Sequence, residues 1–183
     1  MIESGARGWG LAKPTPGIQH LVPSPQSPVI MKEPILVSAC LLGLPTRYDG
    51  ASKRNQAVMN WLEREQLLPI PVCPEQLAGL PTPREKTRFR QGDGRAVVSG
   101  AGEVATFTGQ PMNESFLRGA RETLRIARLT GCQRALLKER SPSCGVHQIH
   151  RNEEMVAGVG VATALLIDAG IAVMSEADLP PES

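Results

Sequence analysis

The sequence predicts an α/β fold: a three-layer, Rossmann-like domain with a mainly parallel sheet. Two observations carry this prediction. Short apolar runs rich in branched residues alternate along the chain with segments of helical periodicity. Strands that alternate with helices are typical of a parallel sheet covered by helices on both faces. The length of 183 residues suits a single domain with a proper core.

Composition excludes some classes of protein. The chain has 20 basic and 18 acidic residues, a net charge of +2, which argues neither for nor against nucleic acid. It contains no run of the roughly 18 apolar residues that a membrane helix needs, and no basic start followed by an apolar core, as a secretory signal has. We therefore expect a soluble, cytoplasmic protein. Four cysteines in that compartment indicate metal binding or catalysis more than disulfides.

The two ends of the chain differ from its middle. Residues 1–33 are rich in Gly, Pro and Ser and show no period, which predicts a disordered N-terminal extension. We expect the folded domain over residues 34–178 and a flexible tail over 179–183. Met31 would be a natural start for the folded domain, so a start codon assigned too early also explains the extension.

The first half of the domain contains two predicted strands. "ILVSA" (35–39) has the length and branched residues of a buried strand. Residues 54–68 place apolar side chains near helical spacing, and "PIPVC" (69–73) is a second strand. "RAVVSGAGEVATF" (95–107) is predicted to be a small hairpin with two glycines at its turn.

The second half contains the clearest helix. Asn113 can cap its start and Gly131 can end it. "RALLK" (134–138) is a third strand, "GVATALLIDAG" (160–170) a further helix, and "IAVM" (171–174) a last strand. The apolar stripe of the long helix consists of Leu117, Ala120, Leu124 and Ala127.

Three of the four cysteines follow predicted strands. Cys40 ends the first strand, Cys73 ends the second, and Cys144 lies in the loop after the third. The carboxyl ends of parallel strands share one edge of the sheet, where ligands bind. We therefore expect these three cysteines to meet in space. Cys132 precedes the third strand, at the opposite edge, and is predicted to be a small core residue.

Three converging thiolates suit a soft metal or an iron–sulfur cluster. A structural zinc site uses four protein ligands, usually in close pairs, and the chain has no C-x2-C. His147 and His150 could complete a zinc set with Cys144, although loop histidines are more often solvated. A cluster held by three cysteines keeps one iron open for an outside ligand, which favours substrate chemistry.

Three sequence blocks resemble the signatures of a known family. "VSACLLGLPTRYDG", "VCPEQLAGLPTPR" and "LLKERSPSCG" look like those of the 2-thiouracil desulfurase family and occur in the family's order, between about residues 31 and 176. The resemblance implies a 4Fe–4S cluster on Cys40, Cys73 and Cys144, whose free iron takes sulfur from a thiolated pyrimidine. The chain departs from the family pattern at Thr46, where many relatives have a further cysteine, and at His150, where a tyrosine is common.

The implied reaction is a hydrolytic desulfurisation, without net electron transfer, of bases or nucleosides of the 2-thiouracil or 4-thiouridine type. A thiocarbonyl polarised by iron becomes open to attack by water, which needs a nearby base. Glu75, two residues after Cys73, is the candidate base. The alternative is a carboxylate that only orders the Cys-Pro-Glu turn.

Further catalytic candidates lie in the third block. Ser141 and Ser143 could hydrogen-bond the substrate, a cluster sulfur or a moving proton, or could be ordinary turn residues. Lys138 and Arg140 could stabilise anionic thiolates and sulfide, or could be a solvated pair.

Other residues allow two interpretations each. Tyr48 could stack on a flat base, Arg84 could bind a ligand oxygen or hold its Pro-rich loop, and Ser38 is expected to support the strand end. A basic stripe on the long helix suits RNA binding or simple solvation. It consists of Arg118, Arg121, Arg125 and Arg128.

The expected partner is a small thiolated base or nucleoside, with no membrane and with RNA as a lesser possibility. Two alternative functions remain open. One is a cluster-dependent sulfur transferase or tRNA thiolation-editing protein. The other is a non-catalytic iron–sulfur or zinc module, which would close its metal with a fourth protein ligand.

Overall fold

The computed structural model describes residues 32–180. The predicted N-terminal extension lies outside this range except for its last two residues, as do the last three residues of the predicted tail. No helix in the described range is long and apolar enough to cross a membrane. The strands are β1 Glu33–Ser38, β2 Leu67–Val72, β3 Thr87–Gln91, β4 Glu103–Thr106, β5 Arg134–Leu137, β6 Gln148–Arg151, β7 Glu154–Ala157 and β8 Ala172–Ser175. The helices are α1 Gln56–Arg64, α2 Pro74–Leu77, α3 Gly94–Val98, α4 Asn113–Thr130 and α5 Val161–Asp168.

The four predicted strands form one parallel sheet in the order β2-β1-β5-β8. Its central strand β1 is buried over its last four residues, as expected for a strand covered on both faces. Successive residues pack on opposite faces. Leu36 packs with α4 and α5, whereas Val37 packs with α1. The predicted three-layer α/β fold is confirmed.

A second sheet, in the order β4-β3-β6-β7, was not predicted. The predicted hairpin over 95–107 is wrong, because its first half is helix α3 and its second half, β4, pairs antiparallel with β3. Asp93 starts α3 by accepting hydrogen bonds from the amides of Arg95 and Ala96. Gly102 then packs against α3: an ideal Cβ there would lie 2.7 Å from the backbone nitrogen of Val97.

Helix α4 follows its predicted pattern at its end but not at its start. Gly131 ends it with φ of 71°. Asn113 is not its cap: the side chain instead accepts from the amide of Val104 at 2.7 Å and donates to the carbonyl of Gly102 at 2.8 Å. The predicted stripe is buried except for Leu117, which is half-buried.

The first predicted helix is shorter than expected. Helix α1 begins after Asn55, whose side chain accepts from the amide of Val58, and ends at Arg64. Gln66 has φ of 52°, which turns the chain into β2. Leu67 therefore belongs to the strand, where it is buried.

The carboxyl edge of the parallel sheet carries the three predicted ligands. Cys40 lies in a short 3-10 turn directly after β1, Cys73 precedes α2 directly after β2, and Cys144 lies in the loop after β5. Helix α4 packs tightly on the second of these segments. An ideal Cβ on Gly119 would lie 1.9 Å from the carbonyl oxygen of Pro74, so only glycine allows this approach.

Candidate metal centre and cavity

A cavity of about 300 Å³ opens at the carboxyl edge of the parallel sheet, and Cys40, Cys73 and Cys144 all line it. Cys132 does not. It is buried elsewhere, with its sulfur 3.1 Å from the hydroxyl of Thr130. The structure therefore brings together the three cysteines that the strand order predicts. The other ionisable or hydroxyl-bearing side chains of the lining are those of Ser38, Thr46, Arg47, Tyr48, Lys53, Glu75, Arg84, Lys86, Thr87, Lys138, Glu139, Arg140, Ser141 and His150.

None of the three cysteines forms a disulfide; Cys40 and Cys144 are buried, and Cys73 is half-buried. Burial, with a further contribution from Cys73, raises the pKa of Cys40 to about 11. Burial likewise raises the pKa of Cys144 well above its ordinary value, with Cys73 and Cys40 adding to the shift. Three thiolates around one cavity would need a compensating positive charge, which a metal bound to the thiolates would provide.

The arrangement suits a cluster better than a single ion. Within residues 32–180, no group of three or more His, Cys, Asp or Glu side chains is placed to hold one metal ion. In an iron–sulfur cluster each cysteine binds a different iron, so its ligands surround a cavity instead of one point. Three thiols around one cavity, from three separate segments, fit that requirement.

The local zinc set proposed from the sequence is not assembled. His147 does not line the cavity, and its Nε2 lies 2.8 Å from Asp178 Oδ1. This hydrogen bond raises the pKa of His147. His150 belongs to strand β6 and not to a loop; it lines the cavity, and burial lowers its pKa.

The N-terminus of α5 holds the loop that carries Cys144. The amides of Val161 and Ala162 donate to the carbonyls of residues 142 and 143 at 3.0 and 2.9 Å. The hydroxyl of Thr163 donates to the carbonyl of Cys144 at 2.9 Å. The first amides of a helix lack partners within the helix, so the loop and the helix satisfy each other.

Glu139 is a structural residue of the site that the sequence analysis missed. Its buried carboxylate accepts from the amides of Arg140, His147 and Gln148 at 2.8 to 3.2 Å, and so closes the loop around Cys144. Burial opposes ionisation, but the three backbone hydrogen bonds outweigh it and lower the pKa of Glu139. A glutamate between a lysine and an arginine is typical of a solvated segment. The sequence therefore carries no signal that Glu139 anchors the loop.

Glu75 lines the cavity with both carboxylate oxygens engaged. Its Oε2 accepts from Arg84 Nε at 2.7 Å, and its Oε1 accepts from the Ser143 hydroxyl at 3.1 Å. Ser143 is buried and does not line the cavity. The Ser143 hydroxyl thus contacts Glu75 and does not face the cavity directly.

Ser141 and Lys138 both line the cavity. The Ser141 hydroxyl oxygen accepts from the amides of Ser143 and Cys144, each at 3.2 Å, and so shapes the turn before the cysteine. Lys138 is not simply solvated: its ammonium pairs with Glu176 and donates to the carbonyl of Glu139 at 3.1 Å.

The remaining predicted residues fall into two groups. Tyr48 and Arg140 line the cavity, and Arg140 does so with φ of 64°, which is uncommon for a residue with a side chain. Ser38 accepts from the amide of Lys138 at 2.9 Å and so links two strand ends. The basic stripe is separate. Arg118 donates to the carbonyl of Ala78, and the other three arginines border a shallow depression formed by α4 alone.

Known proteins resemble this part of the chain. A family model described as 2-thiouracil desulfurase matches residues 35–178. A Bacillus subtilis (strain 168) protein, described as uncharacterized protein YbbK, is 35% identical over 148 residues, which cover 79% of this chain and 97% of the relative. A solved structure described as the 4Fe-4S-dependent thiouracil desulfidase TudS is 44% identical, with a TM-score of 0.69, over 81% of this chain and 94% of that one. These matches agree with the resemblance of the three sequence blocks.

Replacing Glu139 by glutamine should loosen the Cys144 loop. We expect metal-free Glu139→Gln to lose about 1–3 kcal/mol of unfolding free energy at neutral pH, because a neutral amide binds the three backbone donors more weakly than a carboxylate and its NH2 group cannot accept from His147 as Oε2 does. Because folding lowers the pKa of Glu139 below 4.5, its stabilisation is present above that pH and is lost as the pH falls. The variant's stability should therefore depend less on pH than the wild type's.

Urea unfolding at about pH 7 and about pH 4 measures both effects. Glu153→Gln is the control, since that side chain is 90% exposed. Equal stability of Glu139→Gln and wild type at pH 7 would refute the anchoring role.

Proposed function

The chain belongs to the 2-thiouracil desulfurase family, and from that premise we propose that it is an iron–sulfur enzyme that removes sulfur from thiolated pyrimidines. The observation that supports this proposal best is the meeting of three thiols, from three strand ends, in one cavity. Cys40, Cys73 and Cys144 would hold the 4Fe–4S cluster. Among the described residues no further cysteine lines the cavity, so one iron would stay open to substrate.

When bound, the cluster would supply a soft Lewis acid for the thiocarbonyl sulfur. The protein contributes first through its charged side chains, which affect the ionisation of the thiols. Burial has the largest effect on the pKa of Cys40 and raises it, whereas Lys138 lowers this pKa and so favours the thiolate, an effect that Glu176 partly offsets. Glu176 in turn fixes the Lys138 ammonium. This supports the predicted role of Lys138 as a cationic stabiliser.

Glu75 acts as the general base on water in this proposal. Its Oε1 accepts one hydrogen bond, from Ser143, and so keeps a lone pair for a proton from water. The oxygen of that water replaces sulfur on the pyrimidine carbon, and the sulfur leaves as sulfide. Atoms and charge balance without a reductant. Arg84 and Ser143 orient the carboxylate, one on each oxygen.

Ser141 is proposed to contact the substrate directly. Its oxygen accepts two amide hydrogens, while its own proton has no acceptor among the described residues. That proton is therefore available to an atom in the cavity.

The cavity favours a free base or nucleoside as substrate. Its volume of about 300 Å³ lies at the small end of ligand pockets, and the Tyr48 ring in its wall suits a flat ligand. The tRNA-editing alternative would use the arginines on α4. The depression that they border shares no residue with the cavity, so we prefer the small substrate.

Cysteine substitutions test the cofactor assignment. Anaerobically prepared wild type should contain about four iron and four sulfide per chain. Cys40→Ser, Cys73→Ser and Cys144→Ser should each lose the brown absorbance, because an iron loses its protein ligand. Cys132→Ser is the matched control and should keep it, since Cys132 lies at the other edge of the sheet.

An intact cluster in Cys73→Ser, or a lost one in Cys132→Ser, would contradict the assignment. One zinc per chain without sulfide would instead favour the non-catalytic zinc module.

A second prediction concerns the base. Glu75→Gln should keep its iron and sulfide but convert 2-thiouracil or 4-thiouridine about 10²–10⁴-fold more slowly than wild type, the usual effect of a lost general base. Pyrimidine absorbance and released sulfide, measured without added reductant, report the turnover. Strict dependence of the wild type on a reductant would exclude the hydrolytic route, and full activity of Glu75→Gln would exclude Glu75 as the base.

A further inference from the structure

Arg84 lies in the loop between α2 and β3, with its side chain only 7% exposed. Every nitrogen of its guanidinium has a partner. Nε donates to Glu75 Oε2 at 2.7 Å and Nη2 to the carbonyl of Thr46 at 3.1 Å. Nη1 donates to the carbonyl of Pro81 and the hydroxyl of Thr82, at 3.3 and 3.2 Å. One side chain thus connects the turn after Cys73 with the cavity wall near Thr46.

The carbonyl of Thr46 has a second donor. The thiol of Cys73 lies 3.6 Å from the same oxygen. Thr46 itself is buried and lines the cavity. A backbone hydrogen bond strengthens the connection, because the amide of Arg84 donates to the carbonyl of Tyr48 at 2.8 Å.

Metal binding changes this arrangement in a defined way. A cysteine that binds a metal does so as a thiolate, which has no proton to donate. The carbonyl of Thr46 then keeps Arg84 as its donor and faces a negatively charged sulfur in place of a thiol. Since a buried acceptor without a donor is costly, the contact with Arg84 matters more after Cys73 has become a ligand.

We propose that Arg84 is a positioning residue that stabilises the metal-bound protein more than the metal-free protein, because it is the donor that the Thr46 carbonyl keeps once Cys73 has bound metal. The inference rests on the cluster assignment of the proposed function. Arg84, the arginine of "LPTPR", would thus help to retain the cofactor. The sequence alone allowed either a contact with a ligand or a contact that holds the loop.

The sharpest test is Arg84→Lys. A lysine ammonium can still pair with Glu75, but it cannot reach Glu75 and Thr46 at once as the planar guanidinium does. Metal-free Arg84→Lys should lose some melting temperature, because the contacts with Pro81 and Thr82 are lost as well, but the loaded variant should lose more relative to loaded wild type. Its loaded form should release iron to a chelator about tenfold faster, the effect of one lost hydrogen bond from a charged donor. Its gain in melting temperature on loading should also be smaller.

Arg88→Lys is the matched control. Arg88 is also largely buried, with a side chain 12% exposed, but it bonds the carbonyl of Asn152 and does not line the cavity. Its substitution should shift the melting temperature of both forms equally and leave iron release unchanged. Arg84→Met, which removes the contacts with both Glu75 and Thr46, should release iron faster than Arg84→Lys.

Iron release from Arg84→Lys at the wild-type rate would overturn the inference. So would equal losses of melting temperature with and without metal, or a metal-free Arg84→Lys that does not fold. If wild type itself takes up no iron and sulfide, the proposed function fails. If wild type loads and Arg84→Lys behaves identically, only the role of Arg84 fails.

Discussion

The parallel alignment of β2, β1 and β5 is the constraint on which the site depends. In this register Ser38 is paired with Val72, and Val37 is paired with Leu136. The chain therefore leaves all three strands at the same edge, and residues far apart in sequence enter one cavity. The apolar faces of β1, packed on α1 from one side and on α4 and α5 from the other, fix this alignment. A slip of the register would separate the thiols and bury the wrong faces at once.

Hydrogen bonds within the protein hold the loops at this edge. The amides at the start of α5 bind the Cys144 loop, and an ideal Cβ on Gly160 would lie 2.4 Å from the carbonyl of Ser143. Glu139 accepts hydrogen bonds from the amides of the same loop, and Arg84 donates to the carbonyl of Thr46 in the cavity wall. Glu139 and Arg84 each satisfy several backbone groups, which an apolar residue in the same place could not do.

The sequence predicted the parallel sheet and its cysteines because both follow from simple patterns. "ILVSA" is apolar enough to identify a central strand, and strand ends of a parallel sheet converge whatever their loops do. The second sheet was not predicted because its strands carry many polar side chains, as in "QIHR", whereas β5 and β8 are equally short but mostly apolar. The partners of Asn113 and Ser143 are set by tertiary contacts, which local pattern cannot show.

We propose that Cys40, Cys73 and Cys144 bind one cluster and leave one of its irons open to the substrate. Mössbauer spectroscopy of the wild-type protein, loaded with isotopically enriched iron and measured with and without 2-thiouracil, tests it directly. We expect about a quarter of the iron signal to change when the substrate is added, because three of four irons keep their cysteine ligands. A spectrum in which all irons respond alike, or in which none responds, would contradict it.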